Sequence, residues 1–241
     1  MTKKYKTEFH VHTRYSHDSI LSLFLLKILC KIKKIDTIVI TDHNEIKGAL
    51  KCKEKFKKSN IEVIVGEEIL TSCGEIIGLR LNKKIEPNLT PEETIRKIKL
   101  QNGLVYVPHP YDEKRYKTVL IESEIEKNKN DIDFIEIYNG RNVSELFGIK
   151  QQEIARKYNI KNIIGSDAHT FFEIGRNYIL TDKKITDDNI DFDANNVEFI
   201  KKKCITLAHK KTKLDRVLKY IFKGDISGLF RTINRRSKKT K

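Results

Sequence analysis

Residues 9–19 read FHVHTRYSHDS and combine strand-forming residues with three imidazoles and a carboxylate. His10 and His12 are separated by one residue, so in a β-strand both side chains point to the same side. His17 and Asp18 add a further imidazole and a carboxylate within reach of the loop that follows. Taken alone, this spacing fits a metal-binding pair and equally fits the polar face of an amphipathic strand.

Four more polar clusters directly follow other predicted strands. They are TDHN at 41–44, GEEI at 66–69, PHP at 108–110 and GSDAHT at 165–170. Each has an ordinary explanation by itself, such as a helix cap for Asp42 or Asp167 or a packed loop imidazole for His109. Six of the seven histidines nevertheless fall in these five clusters, at the strand ends where α/β barrels build their active sites. Oxygen and imidazole ligands without thiolate suit zinc, manganese or iron in hydrolytic chemistry.

Short β-branched or apolar runs alternate with helical patterns, which favours βα units around a mostly parallel sheet. The predicted strands are Lys6–Val11, Thr37–Thr41, Ile61–Val65, Ile76–Leu81, Leu104–Val107, Phe134–Tyr138 and Asn162–Gly165. The predicted helices are Ser19–Lys33 with a Ser cap, Glu45–Ser59, one that begins at Thr90-Pro91, Val119–Lys127, Val143–Lys157 and Leu214–Phe222. Thr90 is the clearest helix start, because Pro91 and two acidic residues follow it.

Length and composition favour one α/β domain with a large core. The first 30 residues lack the layout of a signal peptide, and the longest apolar run, Ile20–Cys30, is too short to span a bilayer. A soluble, cytoplasmic protein is expected. The four cysteines are far apart without any CxxC pair, which predicts free thiols.

The positive charge is concentrated at the C-terminal end. Residues 201–241 contain 15 of the 48 Lys and Arg residues but only two of the 33 acidic residues, whereas residues 1–200 are nearly neutral. We therefore divide the chain into a catalytic domain, 1–212, and a basic C-terminal helix and tail, 213–241. Such an end is either a solvated lysine-rich surface or an interaction tail for weak nucleic-acid or anionic-membrane contact.

The clusters HVHTRYSHDS, TDHN, GEEI, PHP and GSDAHT, in that order over residues 9–170, resemble the motif set of the PHP (polymerase and histidinol phosphatase) phosphoesterase family. The resemblance implies a distorted (βα)7 TIM-like barrel, an α/β fold, with a metal site at the C-terminal ends of the strands. It also implies two or three divalent metal ions, with Zn, Mn or Fe as candidates.

The resemblance implies a role for each matching residue. The positions that match the family's metal ligands are His10, His12, Asp18, His43, Glu68, His109, Asp167 and His169. His10 and His12 are expected to bind a first ion with Asp167. Glu68 is expected to bridge to a second ion, which His109 also binds.

Two departures from the family pattern concern the remaining positions. His43 and His169 are expected to bind a third ion with a ligand from the loop, where His17 stands before Asp18. Either residue fits, and we favour Asp18. The further histidine that often follows the GxE motif is absent, and Glu75 is the nearest residue, which leaves the second ion's ligand set open.

The expected reaction is phosphate-ester hydrolysis, in which divalent ions lower the pKa of a bound water and neutralise phosphoryl charge. Asp167, His109 and His17 are the candidate catalytic acids or bases, although a metal-bound histidine cannot also be the acid. Arg141 and Arg176 are candidate phosphate clamps. The remaining candidates are Arg14 as another clamp, with surface solubility as the alternative for each arginine, and Glu136 and Asn139 as residues that orient ligands.

Three functions fit these residues. The first is a phosphomonoesterase for a small phosphorylated metabolite or nucleotide. The second is a phosphodiesterase or nuclease, which the basic C-terminal end encourages. The third is a metal-binding regulatory module without catalysis, which the intact ligand set disfavours. The sequence does not predict the oligomeric state.

Overall fold

The computed structural model describes residues 3–192 and 197–202, in which nine strands and five α-helices are present. The strands are β1 (Tyr5–Val11), β2 (Thr37–Ile40), β3 (Glu62–Thr71), β4 (Gly74–Leu79), β5 (Leu104–Val107), β6 (Phe134–Asn139), β7 (Lys161–Gly165), β8 (Tyr178–Thr181) and β9 (Glu198–Ile200). The helices are α1 (Leu23–Ile32), α2 (Lys47–Phe56), α3 (Pro91–Lys99), α4 (Glu122–Asn128) and α5 (Glu145–Tyr158).

The strands form one curved sheet in the order β7-β6-β5-β4-β3-β2-β1-β8-β9. Its two distant parts meet where the segment after β7 lies beside β1. The Ser166 N–H donates to the Phe9 carbonyl at 2.9 Å, and the His12 N–H donates to the Ala168 carbonyl at 2.8 Å. The sheet is therefore a nearly closed barrel, and the predicted α/β barrel fold class is confirmed.

The expectation of a mostly parallel sheet is wrong in detail. Among the described strands, four of the eight pairings are parallel and four are antiparallel. The main departure is a tight hairpin between β3 and β4, where an α-helix would stand in a regular βα unit. Strand β3 is twice as long as its predicted part, because the hairpin continues through GEEI to Thr71. Strands β8 and β9 were not among the predicted strands.

Two helix starts show how local hydrogen bonds decide boundaries. Ser22, not the predicted Ser19, caps α1, since its Oγ accepts from the Leu25 N–H at 3.2 Å. Ser19 instead donates to the carbonyls of His12 and His169. Thr90 caps α3 as predicted and forms a full capping box. The predicted helix Leu214–Phe222 lies outside the described residues.

The core is built from the buried Ile, Val and Leu residues of the strands and the apolar faces of the helices that cover them. Phe192 packs against this core, with its ring stacked on that of Phe134 at 5.5 Å and tilted against that of Phe9 at 6.2 Å between centroids. The described cysteines, Cys30, Cys52 and Cys73, are free thiols as predicted. No helix within residues 3–192 and 197–202 is long and apolar enough to cross a membrane.

Candidate metal centre

Strand β1 has an irregularity near its end, where His10 lies, and His12 directly follows the strand. The pairing of β1 with β2 shifts register between Glu8 and Val11, and His10 has a φ of 62°. The rings of His10 and His12 are fully buried, with centroids 5.1 Å apart. His109 and Asp167 also have positive φ, at 32° and 51°. A positive φ strains the backbone of any residue other than glycine. Such strain persists only where the surrounding structure holds the residue in place, and it is concentrated at functional sites.

Glu68, in the middle of β3, lies at the centre of the histidines. Its Oε1 is 3.2 Å from His10 Nε2 and 3.2 Å from His109 Nε2. Its Oε2 is 3.2 Å from His12 Nε2 and 3.1 Å from His43 Nδ1. One carboxylate therefore faces four imidazoles, which is the arrangement expected of a group that bridges two ions.

The loop after β7 adds a carboxylate and another imidazole. Asp167 Oδ1 is 3.6 Å from His12 Nε2 and 3.9 Å from His10 Nε2. The rings of His12 and His169 stack with centroids 4.1 Å apart. These contacts depend on the closure of the barrel, because the loop and β1 are more than 150 residues apart in the sequence.

The loop after β1 brings Asp18 to the two outer imidazoles. Asp18 Oδ2 is 3.1 Å from His169 Nε2 and 3.5 Å from His43 Nε2. His17 is exposed, and its ring centroid is 5.1 Å from that of His43. The geometry thus favours Asp18 over His17 as the loop ligand. Asp42 anchors this loop by accepting from the N–H and hydroxyl of Thr13.

All eight predicted ligand positions are brought together in one cluster. Four groups have candidate ligand atoms within 4.8 Å of one another: His12, His43 and His169; His10, His12 and Asp167; His10, Glu68 and His109; and His43, Glu68 and Glu75. Glu75, which the family pattern left open, is therefore part of the cluster.

Buried ligand atoms without hydrogen-bond partners also indicate that the cluster binds divalent cations. His10 Nε2, His12 Nε2 and Glu68 Oε2 are buried and have no hydrogen-bond partner. Buried polar atoms normally find a partner, because leaving one unsatisfied costs about 1–3 kcal/mol. Three such atoms that face one another are accounted for if a cation lies between them.

Glu136 fixes the orientation of the central histidines. His10 Nδ1 lies 2.9 Å from Glu136 Oε1, so its other ring nitrogen, Nε2, faces Glu68. The hydroxyl of Tyr106 donates to the same Oε1. Glu136 Oε2 accepts from the His109 N–H at 2.7 Å and from Asn139 Nδ2 at 2.8 Å. These are the contacts expected of a carboxylate that orients metal-binding imidazoles.

The arginines are placed differently from one another. Arg141 Nε donates to Glu173 Oε1 at 3.0 Å, and the other oxygen of Glu173 accepts from the His169 N–H. Arg141 thus lies beside the cluster. Arg176 follows Gly175, whose N–H donates to Glu8 and which packs against Lys33 at the end of α1. These contacts involve Gly175 and do not place Arg176 at the cluster, so its role as a phosphate clamp stays a prediction.

Three further residues at the site were not predicted from the sequence. Arg115, in a short 3-10 helix after β5, donates to Asp167 Oδ2 at 2.5 Å and contacts Asp112 at 3.1 Å. A single arginine in a loop has no periodic signal. Tyr106 looks like any core residue of a strand. Glu173 did have a signal, since Thr170-Phe-Phe-Glu173 matches the S/T-x-x-E capping pattern and Glu173 accepts from the Thr170 N–H.

The charges in the cluster shift its ionisation equilibria. Burial raises the pKa of the Glu68 carboxyl, but the charges of His10 and His43 outweigh burial and hold this pKa well below its usual range. Burial, with His169 and His43 nearby, lowers the pKa of His12 well below its ordinary value. Burial opposes protonation of His43 as well, yet Glu68 and Asp18 raise its pKa to about 10. A cation that displaces this proton binds more tightly as the pH rises.

The fold and the cluster define a class of protein: an α/β barrel with a histidine- and carboxylate-rich centre for divalent metals at one end. The PHP domain family model matches residues 8–240, and the chain belongs to that family. The matched range includes both segments into which the sequence analysis divides the chain.

Several known proteins are similar to this chain. Two uncharacterized proteins of Methanocaldococcus jannaschii are similar in sequence. One is 44% identical over 116 residues, which cover 44% of this chain and 68% of that protein. The other is 35% identical over 176 residues, which cover 72% of this chain and 69% of that protein. A two-domain protein of Bacteroides vulgatus, which contains a predicted PHP-like metal-dependent phosphoesterase, superposes with a TM-score of 0.67 at 17% identity. The match covers 83% of this chain and 65% of that one.

A further similar structure is an amidohydrolase of Chromobacterium violaceum, solved with bound sulfate and no metal. Its TM-score is 0.55 at 16% identity, over 68% of this chain and 87% of that one. At such identities, both solved structures show the fold that this chain shares with them.

Proposed function

We propose that this protein hydrolyses phosphate monoesters of a small metabolite or nucleotide, with two or three divalent ions held by the cluster around Glu68. The observation that carries the proposal is the set of buried, unpaired ligand atoms on His10, His12 and Glu68. His12 Nε2 lies 3.2 Å from Glu68 Oε2, and His10 Nε2 lies 3.2 Å from the other oxygen of the same carboxylate, Oε1. Divalent ions bound there would supply an activated water and neutralise charge on the phosphoryl oxygens.

The protein's own residues provide the ion positions and part of the charge balance. His10, His12 and Asp167 form one position, and Glu68 links it to His109. The guanidinium of Arg115 is held between Asp112 and Asp167 at the same edge of the cluster. An arginine beside the cluster can donate two parallel hydrogen bonds to a phosphate, and Arg115 joins Arg141 as a candidate for this role.

The leaving oxygen needs a proton donor that is not bound to metal. His17 is exposed at the rim of the cluster and lies outside the four ligand groups. It is our candidate for the general acid, since an imidazole titrates near neutral pH. His109, by contrast, faces Glu68 and is assigned to metal binding.

The test compares hydrolysis of a generic phosphate monoester and a generic diester with Mn²⁺, Zn²⁺ or Fe²⁺ supplied. We expect faster hydrolysis of the monoester and a loss of activity on chelation. Asp167→Asn should lower turnover by at least about 10²-fold, the scale of removing a major electrostatic stabiliser. Asp182→Asn, at an exposed ion pair with Lys4, is the matched control and should keep wild-type turnover.

The results of this experiment distinguish the three candidate functions. Faster cleavage of the diester would favour a phosphodiesterase or nuclease, the function that the basic residues of 201–241 support. Metal binding without hydrolysis of either ester would favour a non-catalytic metal-binding module. Wild-type turnover in Asp167→Asn with metal supplied would contradict the assignment of this carboxylate.

A further inference from the structure

Glu75 lies on the same face of the β3–β4 hairpin as Glu68. Glu75 pairs with Leu70 across the hairpin, and Glu68 pairs with Ile77. Because side chains alternate along a strand, Glu68 and Leu70 share one face, and Glu75 opposite Leu70 shares it with them. Glu75 is only 6% exposed and is thus a second buried carboxylate, delivered by the hairpin that replaces a βα unit.

The carboxylates of Glu68 and Glu75 both contact the imidazoles of His43 and His109. Glu75 Oε1 is 3.5 Å from His43 Nδ1, and its Oε2 is 3.4 Å from His109 Nε2. Glu68 contacts these same two nitrogens at 3.1 and 3.2 Å. This part of the cluster therefore offers carboxylate oxygen atoms from two residues, together with nitrogen atoms from two rings.

The other side of the cluster has a different composition. His12, His43 and His169 form a group of three imidazoles, and Asp18 approaches it from the solvent side with 39% of its side chain exposed. Imidazole suits zinc, copper and iron, whereas carboxylate oxygen suits magnesium and manganese. The affinity of a given site for divalent metals follows the Irving–Williams order, which favours Zn²⁺ over Mn²⁺. A protein therefore obtains selectivity against that order through ligand type and geometry.

We propose that Glu75 is a metal ligand that sets metal preference: the position formed by His43, Glu68 and Glu75, beside His109, selects Mn²⁺ over Zn²⁺ more strongly than the group of three imidazoles does. The proposal deepens the proposed function and rests on it, since both need a multinuclear centre. An imidazole in place of Glu75 would remove one negative charge and one hard oxygen donor from this position.

The experiment measures metal content and does not depend on activity. Full-length protein is stripped of metal and dialysed against equal free concentrations of Mn²⁺ and Zn²⁺, and both metals are counted by elemental analysis. The variants are Glu75→His, Glu75→Gln and Glu75→Asp. Glu67→Gln is the matched control, because Glu67 is the neighbouring buried carboxylate but accepts from the Ile85 N–H and lies outside the ligand groups.

We expect Glu75→His to lower the Mn-to-Zn ratio by at least about tenfold, the lower end of what a change beside a metal produces. Glu75→Gln should lose manganese without gaining zinc. Glu75→Asp, which keeps the carboxylate, and Glu67→Gln should keep a ratio close to wild type. The electron paramagnetic resonance spectrum of bound Mn²⁺ should change in Glu75→His and stay the same in Glu67→Gln.

An unchanged ratio and spectrum in Glu75→His and Glu75→Gln would overturn the proposal. If Glu75→His does not fold, as judged by circular dichroism, the comparison of Glu75→Gln with Glu75→Asp decides instead. Monoester hydrolysis by the manganese-loaded wild type is measured in parallel. Hydrolysis with an unchanged ratio rejects the role of Glu75 alone, whereas a shifted ratio without hydrolysis rejects the proposed function alone.

Discussion

Glu67 and Glu68 are adjacent on β3 and face opposite sides of the sheet. Glu68 faces four imidazoles, whereas Glu67 Oε2 accepts from the Ile85 N–H at 2.9 Å, away from the cluster. We predict that Glu68→Gln lowers the number of bound divalent ions by at least one per chain, because a bridging carboxylate contacts two ions. Elemental analysis of metal-replete protein checks this.

Glu67→Gln is the control for that prediction. Burial raises the pKa of Glu67 to about 7, so its neutral form is easily populated in the fold and a glutamine should be well tolerated. Equal metal loss in both variants, or greater loss in Glu67→Gln, would mean that the two roles are assigned the wrong way round.

Glu136 tests whether residues behind the ligands matter. It contacts His10 Nδ1 and accepts from the backbone N–H of His109, so Glu136→Gln would keep both histidines but change the partner that orients the His10 imidazole. We predict a metal affinity about 10–100-fold weaker, the usual effect of losing such a partner. Titration with Mn²⁺ measures the affinity, and thermal unfolding of the chelated protein reports any separate effect on the fold. An affinity within twofold of wild type would show that His10 is oriented by other contacts.

At the scale of elements, the irregularity in β1 separates two environments within three residues. His10 contacts Glu68 in the metal centre, whereas Glu8 is fully buried and accepts from the Gly175 N–H, with Lys6 and Cys30 nearby. Burial raises the pKa of Glu8 to about 8, despite the hydrogen bond from the Gly175 N–H. The strand therefore carries a carboxyl that is neutral in the fold near neutral pH.

This pKa predicts a pH dependence of stability. In the unfolded chain Glu8 ionises near its ordinary pKa of 4.5, so unfolding releases a proton between pH 4.5 and about 8. The neutral carboxyl thus favours the fold fully below pH 4.5, and this contribution is lost as pH rises to 8. Glu8→Gln should remove the effect, so the variant gains stability over wild type from pH 5 to pH 8, by at most roughly 4 kcal/mol. Denaturant unfolding of both proteins with chelator present measures it, and a difference that is the same at both pH values would contradict the prediction.

The β3–β4 hairpin and the loop after β7 each supply two residues of the metal centre. The hairpin supplies two carboxylates from one face, and the loop supplies Asp167 and His169 from a strained backbone. Neither element has a metal site by itself. Each becomes part of one only because the strands between them are paired in the observed order.

At the scale of the whole molecule, the metal centre comes from residues 10–169, and most of the excess positive charge lies in residues 201–241. This basic end lies outside the described residues beyond Lys202, and its role remains a proposal from charge. We predict weak, sequence-independent binding to single-stranded oligonucleotides that falls steeply with salt, because each neutralised phosphate releases counterions. Truncation after Phe230 removes six basic residues and should abolish this binding while leaving monoester hydrolysis unchanged.

Anionic vesicles provide the comparison for the truncation. Binding to vesicles and not to oligonucleotides, at low and at physiological salt, would point to a membrane-surface role, which basic residues beside Phe222 and Phe230 also suit. Indifference to both polyanions at low salt would reject an interaction tail. A loss of monoester hydrolysis on truncation would contradict the separation of the tail from the metal centre.

The strand and helix patterns of the sequence predicted the α/β class, and the resemblance of its motifs to the PHP family implied the barrel and the eight ligand positions. Strand patterns are local, and the motifs at their ends keep their order and spacing, so His10 to His169 could be recognised without coordinates. Capping at Thr90 was predictable for the same reason, since a cap depends on residues within one turn.

The tertiary structure decided what depends on contacts between distant segments. Arg115 meets Asp167 across 52 residues, and Tyr106 meets Glu136 across 30. The hairpin register brought Glu75, which the sequence left open, into the site, and the distances to two imidazoles support Asp18 over His17. Such contacts are set by the closure of the sheet and not by local periodicity. A sequence pattern specifies which face a residue occupies, while the pairing of strands determines what that face meets.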